Sequence, residues 1–321
     1  MKRLHATKII SAFLRKSFND FVFVRCPSDF AHTFLIVADG EEYVIKLVEY
    51  KNVVSKIRHD KKHIQNIISL SEHFNKHGRI RTISVSSFLL GPRYSILLLQ
   101  KEKISKIKIE KTAHFKKIGQ AIATFHKLGD SFEFQKLPWN HFPPHFVVVL
   151  KRHNRWNEIK GFLEKNRKHI NSEHNVTCHN DIHDGNIFIS NKKIIFLDID
   201  DICKGSCFND LGMVIANFTK SENSKVYLLK AIERLLIGYG EDYSSKNILR
   251  VILFALRKLY FTEAYFLYAW SAKKTPINFV FELRKRQRIL NSLLAGYLKK
   301  VERQKLKHFL LWQFLEYLIH S

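Results

Sequence analysis

The prevailing spacing of apolar residues changes near residue 100, and this change limits the folds that the chain can adopt. Before residue 100, β-branched and aromatic residues form short runs typical of strands, at 21–24, 33–37 and 43–48. After it, apolar residues recur every three or four positions, as they do in amphipathic helices. We therefore predict an α+β chain with a small β-rich N-terminal part and a larger, mainly helical C-terminal part.

The N-terminal part is predicted to follow the order strand, strand, strand, helix, strand, strand. Residues 38–41 (ADGE) are typical of a hairpin turn between the second and third strands. Apolar residues from 64 to 74 lie at helical spacing, and Gly78 is a typical residue just past the end of a helix. The runs at 81–87 and 94–99 predict the last two strands.

The C-terminal part is predicted to be helical, with a β-rich interruption at 176–197. We place the domain boundaries at 1–99 for the β-rich part, 100–106 for a connector and 107–321 for the helical part. The face of its first helix holds Phe115, Ile118, Ile122 and Phe125, and the later helical segments are 156–162, 226–236, 248–270 and 279–317.

The composition excludes several classes of protein. Hydrophobic residues make up 45% of the chain and aromatic residues 13%, which is enough to build a core and excludes wholesale disorder. No run approaches the roughly 18 to 20 apolar residues of a membrane-spanning helix. The four cysteines are too few and too scattered for a disulfide framework, so we expect a reducing, cytoplasmic location.

The chain is strongly basic, with 54 Lys and Arg residues against 29 Asp and Glu and a formal net charge of +25. This surplus favours an anionic partner or a membrane surface, or it reflects a bias shared by the proteins of one organism. The excess is spread out, since residues 202–321 hold 20 Lys and Arg and 9 Asp and Glu, a net +11. No RNP, KH or zinc-finger pattern occurs, so specific nucleic-acid binding is not predicted.

A predicted hairpin near residue 190 carries the residues most suggestive of chemistry. Residues 187–190 and 193–197 flank a short polar turn and should pair as antiparallel strands. Asn186 and Asp198 lie just outside this hairpin and nearly opposite each other, at the roughly 4.5 to 5.5 Å that cross-strand neighbours keep. An amide oxygen and a carboxylate are hard ligands that suit Mg²⁺.

A second carboxylate, Asp181, precedes Asn186 by five residues in a loop that must double back to enter the hairpin. An Asp, an Asn five residues later and a further Asp are the arrangement of kinase catalytic loops and metal sites, so the pattern indicates phosphoryl transfer. Taken alone, it also occurs by chance in a chain rich in His and Asn. An EF-hand loop starting at Asp198 is excluded, because its twelfth position is Asn209 instead of Glu.

Several segments resemble the signature of the aminoglycoside phosphotransferase/choline kinase-like family. Residues 179–187 (HNDIHDGNI), 196–201 (FLDIDD) and 209–212 (NDLG) resemble its H-x-D-x-H-x-G-N, I-D-x-D-D and D-L motifs. Upstream, residues 118–126 are similar to the helix before the catalytic loop, and residues 43–46 to the nucleotide-binding strand. The resemblance extends in the family's order from about residue 20 to about residue 220.

The resemblance implies a protein-kinase-like two-lobe fold with ATP and Mg²⁺ as cofactors, and it implies a role for each matching residue. Residues 100–103 would form the hinge that pairs with adenine. The implied residues are Asp181 as catalytic base, Asn186 and Asp198 as metal ligands, Lys46 on the α- and β-phosphates, Gln100 at the nucleotide, and His179 and Asp210 as structural support of the site.

Two features depart from the family pattern. The loop at 26–32 contains no glycine, so its backbone N–H groups are expected to approach the phosphates less closely than those of a Gly-rich loop. The helix after Lys46 also offers no well-placed acidic partner for this lysine, because Asp60 is early and Glu72 is late.

The acceptor is expected to be the hydroxyl of a neutral or anionic small molecule. A polycationic aminoglycoside needs an acidic lining, and residues 202–321 hold only 9 acidic side chains. Two alternatives remain open from the sequence. One is a Ser/Thr protein kinase of the same fold, and the other is a non-catalytic kinase-fold protein that binds an anionic partner through its basic surface.

Overall fold

The computed structural model of the chain describes residues 3–25, 33–49, 60–78, 80–82, 84–92, 94–100, 105–106, 113–170, 175–190, 193–220, 223–273 and 277–320. The strands are β1 Phe21–Arg25, β2 Thr33–Ala38, β3 Glu41–Glu49, β4 Arg81–Thr82, β5 Val85–Leu90, β6 Tyr94–Gln100, β7 Ser105–Lys106, β8 Asn175–Cys178, β9 Ile187–Ser190, β10 Lys193–Phe196 and β11 Cys203–Ser206. The helices are α1 Arg3–Ser17, α2 Lys61–His77, α3 Ala113–Gly129, α4 Pro144–Arg152, α5 Trp156–Asn166, α6 Phe208–Phe218, α7 Lys225–Tyr239, α8 Ser245–Lys273 and α9 Ile277–His320.

The chain divides into two compact units. The first comprises Met1–Lys108, Thr124–Leu137 and Val176–Lys204, and the second comprises Ile109–Ala123, Pro138–Asn175 and Gly205–Ser321. The small β-rich part and the larger helical part that the sequence predicts are both present. The proposed boundaries at 99 and 107 stay a prediction.

A five-stranded antiparallel sheet in the order β1-β2-β3-β6-β5 forms the centre of the first unit. The predicted hairpin between β2 and β3 is confirmed, because Ala38 pairs with Glu41 across a two-residue turn. Both turn residues have positive φ, 47° at Asp39 and 82° at Gly40, as the tightest hairpin turns require.

Helix α1 covers one face of this sheet and was not predicted from the sequence. Ile10, Phe13 and Leu14 of α1 pack in one buried cluster with apolar residues of β2, β3 and β6. Burial of large apolar side chains stabilises such a pair of layers by roughly 1.5–3 kcal/mol for each side chain. Helix α1 is therefore an integral layer of the first unit.

Helix α2 ends at the glycine that the sequence predicts, and the structure shows that Asp60 caps its start. The Asp60 carboxylate accepts a hydrogen bond of 2.8 Å from the backbone N–H of His63, which caps the N-terminus. Gly78, with φ of 67°, ends the helix by donating its N–H to the carbonyl of Phe74.

One predicted strand is divided between two sheets. The run at 81–87 was expected to form a single strand, but β4 pairs in parallel with β10, whereas β5 pairs with β6 of the large sheet. The second sheet has the order β4-β10-β9-β7, and β8 and β11 form a third, two-stranded sheet. The run divides because each half pairs with a different strand, and the composition of the run does not indicate either partner.

The second unit is helical, and its largest contacts join α8 to α6 and to α9. Helices α3 and α7 approach closely, because a Cβ on Gly119 would clash with the carbonyl oxygen of Leu235, and one on Gly238 with that of Lys116. Three residues of the predicted α3 face, Phe115, Ile118 and Ile122, are buried, as is Phe125 farther along the helix. In the described part of the chain, no helix combines the length and the apolar character needed to cross a membrane.

Candidate active site

The hairpin predicted near residue 190 is present and sets the positions of Asn186 and Asp198. Strands β9 and β10 pair antiparallel, with Phe196 opposite Ile187, and the N–H of Leu197 donates to the carbonyl of Asn186 at 2.8 Å. The strand thus ends one residue earlier than predicted. Asn186 lies opposite Leu197, and Asp198 follows one residue farther along the chain.

Asn186 and Asp181 are joined by two hydrogen bonds. The amide nitrogen of Asn186 donates to the carbonyl oxygen of Asp181 at 3.0 Å and to Asp181 Oδ2 at 3.2 Å. Because the amide nitrogen faces Asp181, the amide oxygen of Asn186 is directed away from this carboxylate. The Asp181 carboxylate itself is part-exposed, so a molecule from solvent can reach it.

The ring of His179 connects the Asp181 loop to the end of the hairpin. His179 is fully buried, its Nδ1 accepts from the backbone N–H of Asp181 at 3.3 Å, and its Nε2 lies 2.8 Å from the carbonyl oxygen of Leu197. These partners assign the ring proton to Nε2. The ring also packs against Phe125 and Phe196, with centroids 5.7 Å away in both cases.

A second histidine, His183, lies beside the Asp181 carboxylate. Its Nδ1 accepts from the backbone N–H of Gly185 at 2.9 Å, and its Nε2 lies 3.5 Å from Asp181 Oδ2. The acceptor role of Nδ1 assigns the proton to Nε2, on the side that faces Asp181. A Cβ on Gly185 would lie 2.7 Å from His183 Cε1, so this position has room only for glycine unless the ring moves.

Lys46 reaches the segment after the hairpin from β3. Its ammonium forms ion pairs with Asp198 and with Asp200, the latter at 2.5 Å. Asp198 has a left-handed backbone conformation, with φ of 55°, and starts a short 3₁₀ turn over Ile199–Asp201. The structure therefore places the predicted phosphate-binding lysine directly beside one of the two predicted metal ligands.

The charge of Lys46 is stabilised by these two carboxylates. Burial alone would lower the pKa of Lys46, but the ion pairs with Asp198 and Asp200 outweigh burial and raise the pKa above its ordinary value. Lys46 is therefore a permanent cation at neutral pH. Two carboxylates share this single cation, so the cluster of three side chains carries a net charge of −1.

The face of the large sheet that carries Lys46 is apolar and partly open. Val44 lies on this face with its cross-strand neighbours Leu35 and Leu99, and all three are half-buried. Val22 lies on the same face at the edge of the sheet and is 60% exposed. Half-buried and exposed apolar side chains therefore lie on this face between Lys46 and β1.

Some predicted site residues are placed without a test of their roles. Gln100 is the last residue of β6 and pairs with Tyr43, but its side chain and residues 101–103 of the predicted hinge lie outside the described residues. The glycine-free loop at 26–32 lies outside them as well. Asp210 is fully buried in the first turn of α6, and its role as support of the site stays a prediction.

The sequence reasoning missed Asp200, which is one of the two residues paired with Lys46. The D-x-D spacing of Asp198 and Asp200 was visible, but nothing in the sequence indicated that both carboxylates would face a lysine on β3. It also missed His63 of α2, whose Nε2 lies 2.8 Å from the carbonyl oxygen of Asp200. A buried histidine in the first turn of a helix gives no such signal.

The acidic residues Glu241, Asp242 and Glu263 of the second unit each have polar side-chain partners. Glu263 of α8 is fully buried, and Arg155 and Arg284 donate to it at 3.0 and 2.9 Å. Burial alone would raise the pKa of Glu263, but hydrogen bonds led by that from Arg155 lower it. Glu241 and Asp242 both accept from the amide of Asn247.

A family model described as the phosphotransferase enzyme family matches residues 23–246, which is more than half of the chain. The chain belongs to this family. The match includes Lys46, the Asp181 loop, the hairpin and Asp210, and it confirms the family suggested by the sequence motifs. No curated protein matches the chain.

Solved structures of other phosphotransferases show the same fold at low sequence identity. An amicoumacin kinase bound to AMP-PNP, Ca²⁺ and amicoumacin is 15% identical, with a TM-score of 0.62, and the match covers 92% of this chain and 93% of that one. For a choline kinase from Streptococcus pneumoniae the values are 14%, 0.62, 90% and 99%. For an AMP-bound spectinomycin phosphotransferase they are 14%, 0.55, 85% and 92%.

These likenesses show that this member of the phosphotransferase family has the kinase-like fold predicted from the sequence. Its β-rich N-terminal part carries Lys46, and its mainly helical C-terminal part begins with α3. The proteins named above act on different small molecules, so the fold that they share does not identify the acceptor of this chain.

Proposed function

We propose that this chain is an ATP- and Mg²⁺-dependent phosphotransferase that moves the γ-phosphate of ATP to a hydroxyl of a small-molecule acceptor. The observation that carries this proposal is the pairing of Lys46 with Asp198 next to the Asp181–Asn186 loop, with His179 bonded to both segments. Phosphoryl transfer depends mainly on positioning and on charge stabilisation, and these residues can provide both.

The donor atoms of the site fit a Mg²⁺–nucleotide complex. The amide oxygen of Asn186 and the carboxylate of Asp198 are hard oxygen ligands, and Asp198 is 45% exposed and so open to a hydrated ion. Bound Mg²⁺ would neutralise charge on the phosphates during transfer. Lys46 would contribute a permanent positive charge at the α- and β-phosphates.

The open apolar face of the sheet is suited to the base of the nucleotide. Val44 lies two residues before Lys46 on the same face, between Leu35 and Leu99 of the neighbouring strands. A flat aromatic base is stabilised by burial against such a surface, while the phosphates extend toward Lys46. In this proposal the strand end at Gln100 provides the main-chain partner of the base.

Asp181 would act as the general base for the acceptor hydroxyl. Its carboxylate is held by Asn186 Nδ2 and lies beside the Nε2–H of His183, and the loop that carries it is fixed by buried His179. A fixed and part-exposed carboxylate can accept the proton of an approaching hydroxyl at the moment of transfer. Asp210 is proposed to support this loop.

The acceptor is proposed to be neutral or anionic. The sequence leaves open that Glu241, Asp242 and Glu263 could create a local negative surface for a cation. Glu263 is instead buried and neutralised by two arginines, and the carboxylates of Glu241 and Asp242 accept hydrogen bonds from the side-chain amide of Asn247. The net charge of +11 in residues 202–321 is thus not offset by an exposed Glu263.

The proposal includes a cytoplasmic location, where ATP is supplied.

The proposal is tested by following ADP formation from ATP with purified protein, with and without Mg²⁺, across a panel of hydroxyl compounds. The panel includes neutral sugars and amino alcohols, anionic hydroxy acids and a kanamycin-like polycation. We expect Mg²⁺-dependent turnover with a neutral or anionic acceptor, and an apparent KM for the anionic one that rises with salt. Faster phosphorylation of the polycation would refute the acceptor class, and no turnover with any acceptor would favour a non-catalytic role.

A further inference from the structure

Two carboxylates share Lys46, and they differ in exposure. The side chain of Asp198 is 45% exposed, whereas those of Asp200 and Lys46 are 16% and 17% exposed. A buried carboxylate depends more than an exposed one on keeping its cation, because water cannot replace the lost partner. A metal ion approaching with its water shell reaches the exposed carboxylate more easily. The two aspartates are therefore suited to different tasks.

Helix α2 does not supply a carboxylate for this lysine. In protein kinases the corresponding lysine pairs with a glutamate of the helix that follows its strand. Between residues 50 and 71 the only acidic residue is Asp60, whose carboxylate caps α2. Glu72 is on the exposed surface of α2. Hence the pairing partner must come from another element, and Asp200 is the least exposed carboxylate bonded to Lys46 in the described part of the chain.

Helix α2 instead holds the main chain of Asp200. His63 is buried in the first turn of α2, with its Nε2 2.8 Å from the carbonyl oxygen of Asp200 and its ring packed edge-on against Phe134. The helix thus fixes the backbone of Asp200, and the carboxylate of Asp200 in turn contacts the ammonium of Lys46. In place of a direct ion pair between α2 and Lys46, the structure has an indirect connection that runs from His63 of α2 through Asp200 to Lys46.

We propose that Asp200 is the positioning residue for Lys46, which it holds toward the phosphates while Asp198 serves the metal. The inference rests on the proposed function, since it assigns a role within the same reaction. Asp200 acts through Lys46, so its removal matters only while the lysine is present. That dependence separates a positioning role from direct metal binding.

The test is a double-mutant cycle of four proteins: the parent, Asp200→Asn, Lys46→Met and the double variant. Two properties are measured for each, the melting temperature without nucleotide or metal and the kcat/KM for ATP at saturating Mg²⁺. The Mg²⁺ concentration for half-maximal rate is measured wherever turnover remains. Asp130→Asn is the control, because Asp130 pairs with Lys204 in the same unit and is 70% exposed.

We expect Asp200→Asn to lower kcat/KM for ATP by about 10- to 100-fold in the parent background and by less than about twofold when Lys46 is already Met. The melting temperature should likewise fall more in the parent background than in the Lys46→Met background. The Mg²⁺ requirement of Asp200→Asn should stay within about twofold of the parent. Asp130→Asn should match the parent throughout.

Equal losses in both backgrounds, or a Mg²⁺ requirement raised tenfold or more, would overturn the proposal and make Asp200 a metal ligand. If Asp200→Asn does not fold, Asp200→Ser also removes the carboxylate and is taken through the same cycle, with the same outcomes deciding. If the parent shows no ATP turnover, the proposed function fails, and the melting temperatures still decide whether Asp200 and Lys46 are coupled.

His63→Phe gives a second measurement on the link from α2. The ring is kept and the hydrogen bond to Asp200 is lost, so kcat/KM for ATP should fall by several-fold, and only in proteins that retain Asp200. A loss of the same size in the Asp200→Asn background would show that His63 acts independently and would contradict the link through Asp200.

Discussion

The Nε2 of His179 lies 2.8 Å from the carbonyl oxygen of Leu197, and this contact joins the loop that carries Asp181 to the segment that carries Asp198. The same ring accepts from the N–H of Asp181. One buried imidazole thus fixes two parts of the proposed active site at once. Side chains separated by seventeen residues, Asp181 and Asp198, are held in one hydrogen-bonded frame.

Replacing His179 with Phe should weaken both stability and transfer. The aromatic packing against Phe125 and Phe196 is retained, but the two hydrogen bonds are lost, at an expected cost of about 1–3 kcal/mol in unfolding free energy. Urea unfolding measures this change, with His77→Phe on the exposed end of α2 as control. A His179→Phe protein as stable and as active as the control would show that the ring contributes packing alone.

Replacing Asp198 with Asn should abolish Mg²⁺-dependent ATP turnover while the fold is retained. Asparagine tolerates the left-handed backbone of Asp198, so the change removes the charge without adding backbone strain. Asp198→Ala should be about 1–2 kcal/mol less stable than Asp198→Asn, because alanine does not tolerate that conformation well. Turnover is followed by ADP release and stability by urea unfolding. Parent-like turnover in Asp198→Asn would rule out Asp198 as a metal ligand.

Replacing Asp181 with Asn should remove transfer to the acceptor and largely spare ATP binding. The carboxylate acts on the attacking hydroxyl in this proposal and needs no contact with the nucleotide. Transfer should fall by about 100-fold or more, while the affinity for ADP with Mg²⁺, measured by calorimetry, stays within a few-fold of the parent. Loss of nucleotide binding together with transfer would mean that Asp181 supports the nucleotide site instead.

Replacing Gly185 with Ala should displace His183 from Asp181. The added Cβ would lie 2.7 Å from His183 Cε1, so the ring must rotate, and its hydrogen bond from the N–H of residue 185 is then lost. We expect a lower kcat with little change in melting temperature, because the ring is part-exposed. His183→Ala serves as the matched control. If its loss of kcat differs widely from that of Gly185→Ala, the glycine acts by another route.

The thiol of Cys207 should make folding less favourable at high pH. Burial, and then the charge of Glu241, raise the pKa of Cys207 from 9.0 to about 12. The unfolded thiol ionises first, so stability should be unaffected below about pH 8 and fall as the pH rises from about 9 toward 12. Urea unfolding of the parent and of Cys207→Ala across this range isolates the contribution. Parallel curves for the two proteins would contradict it.

Elements set by local periodicity could be predicted from the sequence. The β2–β3 turn, the end of α2 at Gly78 and the hairpin near residue 190 each depend on neighbouring residues, and all are present. Helix α1 was not predicted because its apolar run at residues 9–14 is short and has basic residues on both sides, Lys8 before it and Arg15 and Lys16 after it. Its helical face becomes evident only where the sheet provides a surface to cover.

Pairings between distant residues could not be predicted. Strand β4 takes its partner from β10, more than 100 residues later, and the run at 81–87 therefore divides in a way that its own sequence does not indicate. The ion pair of Lys46 with Asp200 likewise joins two segments far apart in the chain. Residue types predicted which groups could carry out the chemistry, but the partner of each charge depends on the tertiary fold.

The layer formed by α1 has a practical consequence for where this protein can be divided. The family match begins at residue 23, but Ile10, Phe13 and Leu14 lie before that point and cover the sheet. In a fragment that starts at residue 23, Ile36, Ile45 and Ile96 would be exposed to water as one hydrophobic patch. Such a patch is a predicted site of aggregation during expression. A fragment made for expression should therefore start before α1, because the region matched by the family model is shorter than the unit that folds.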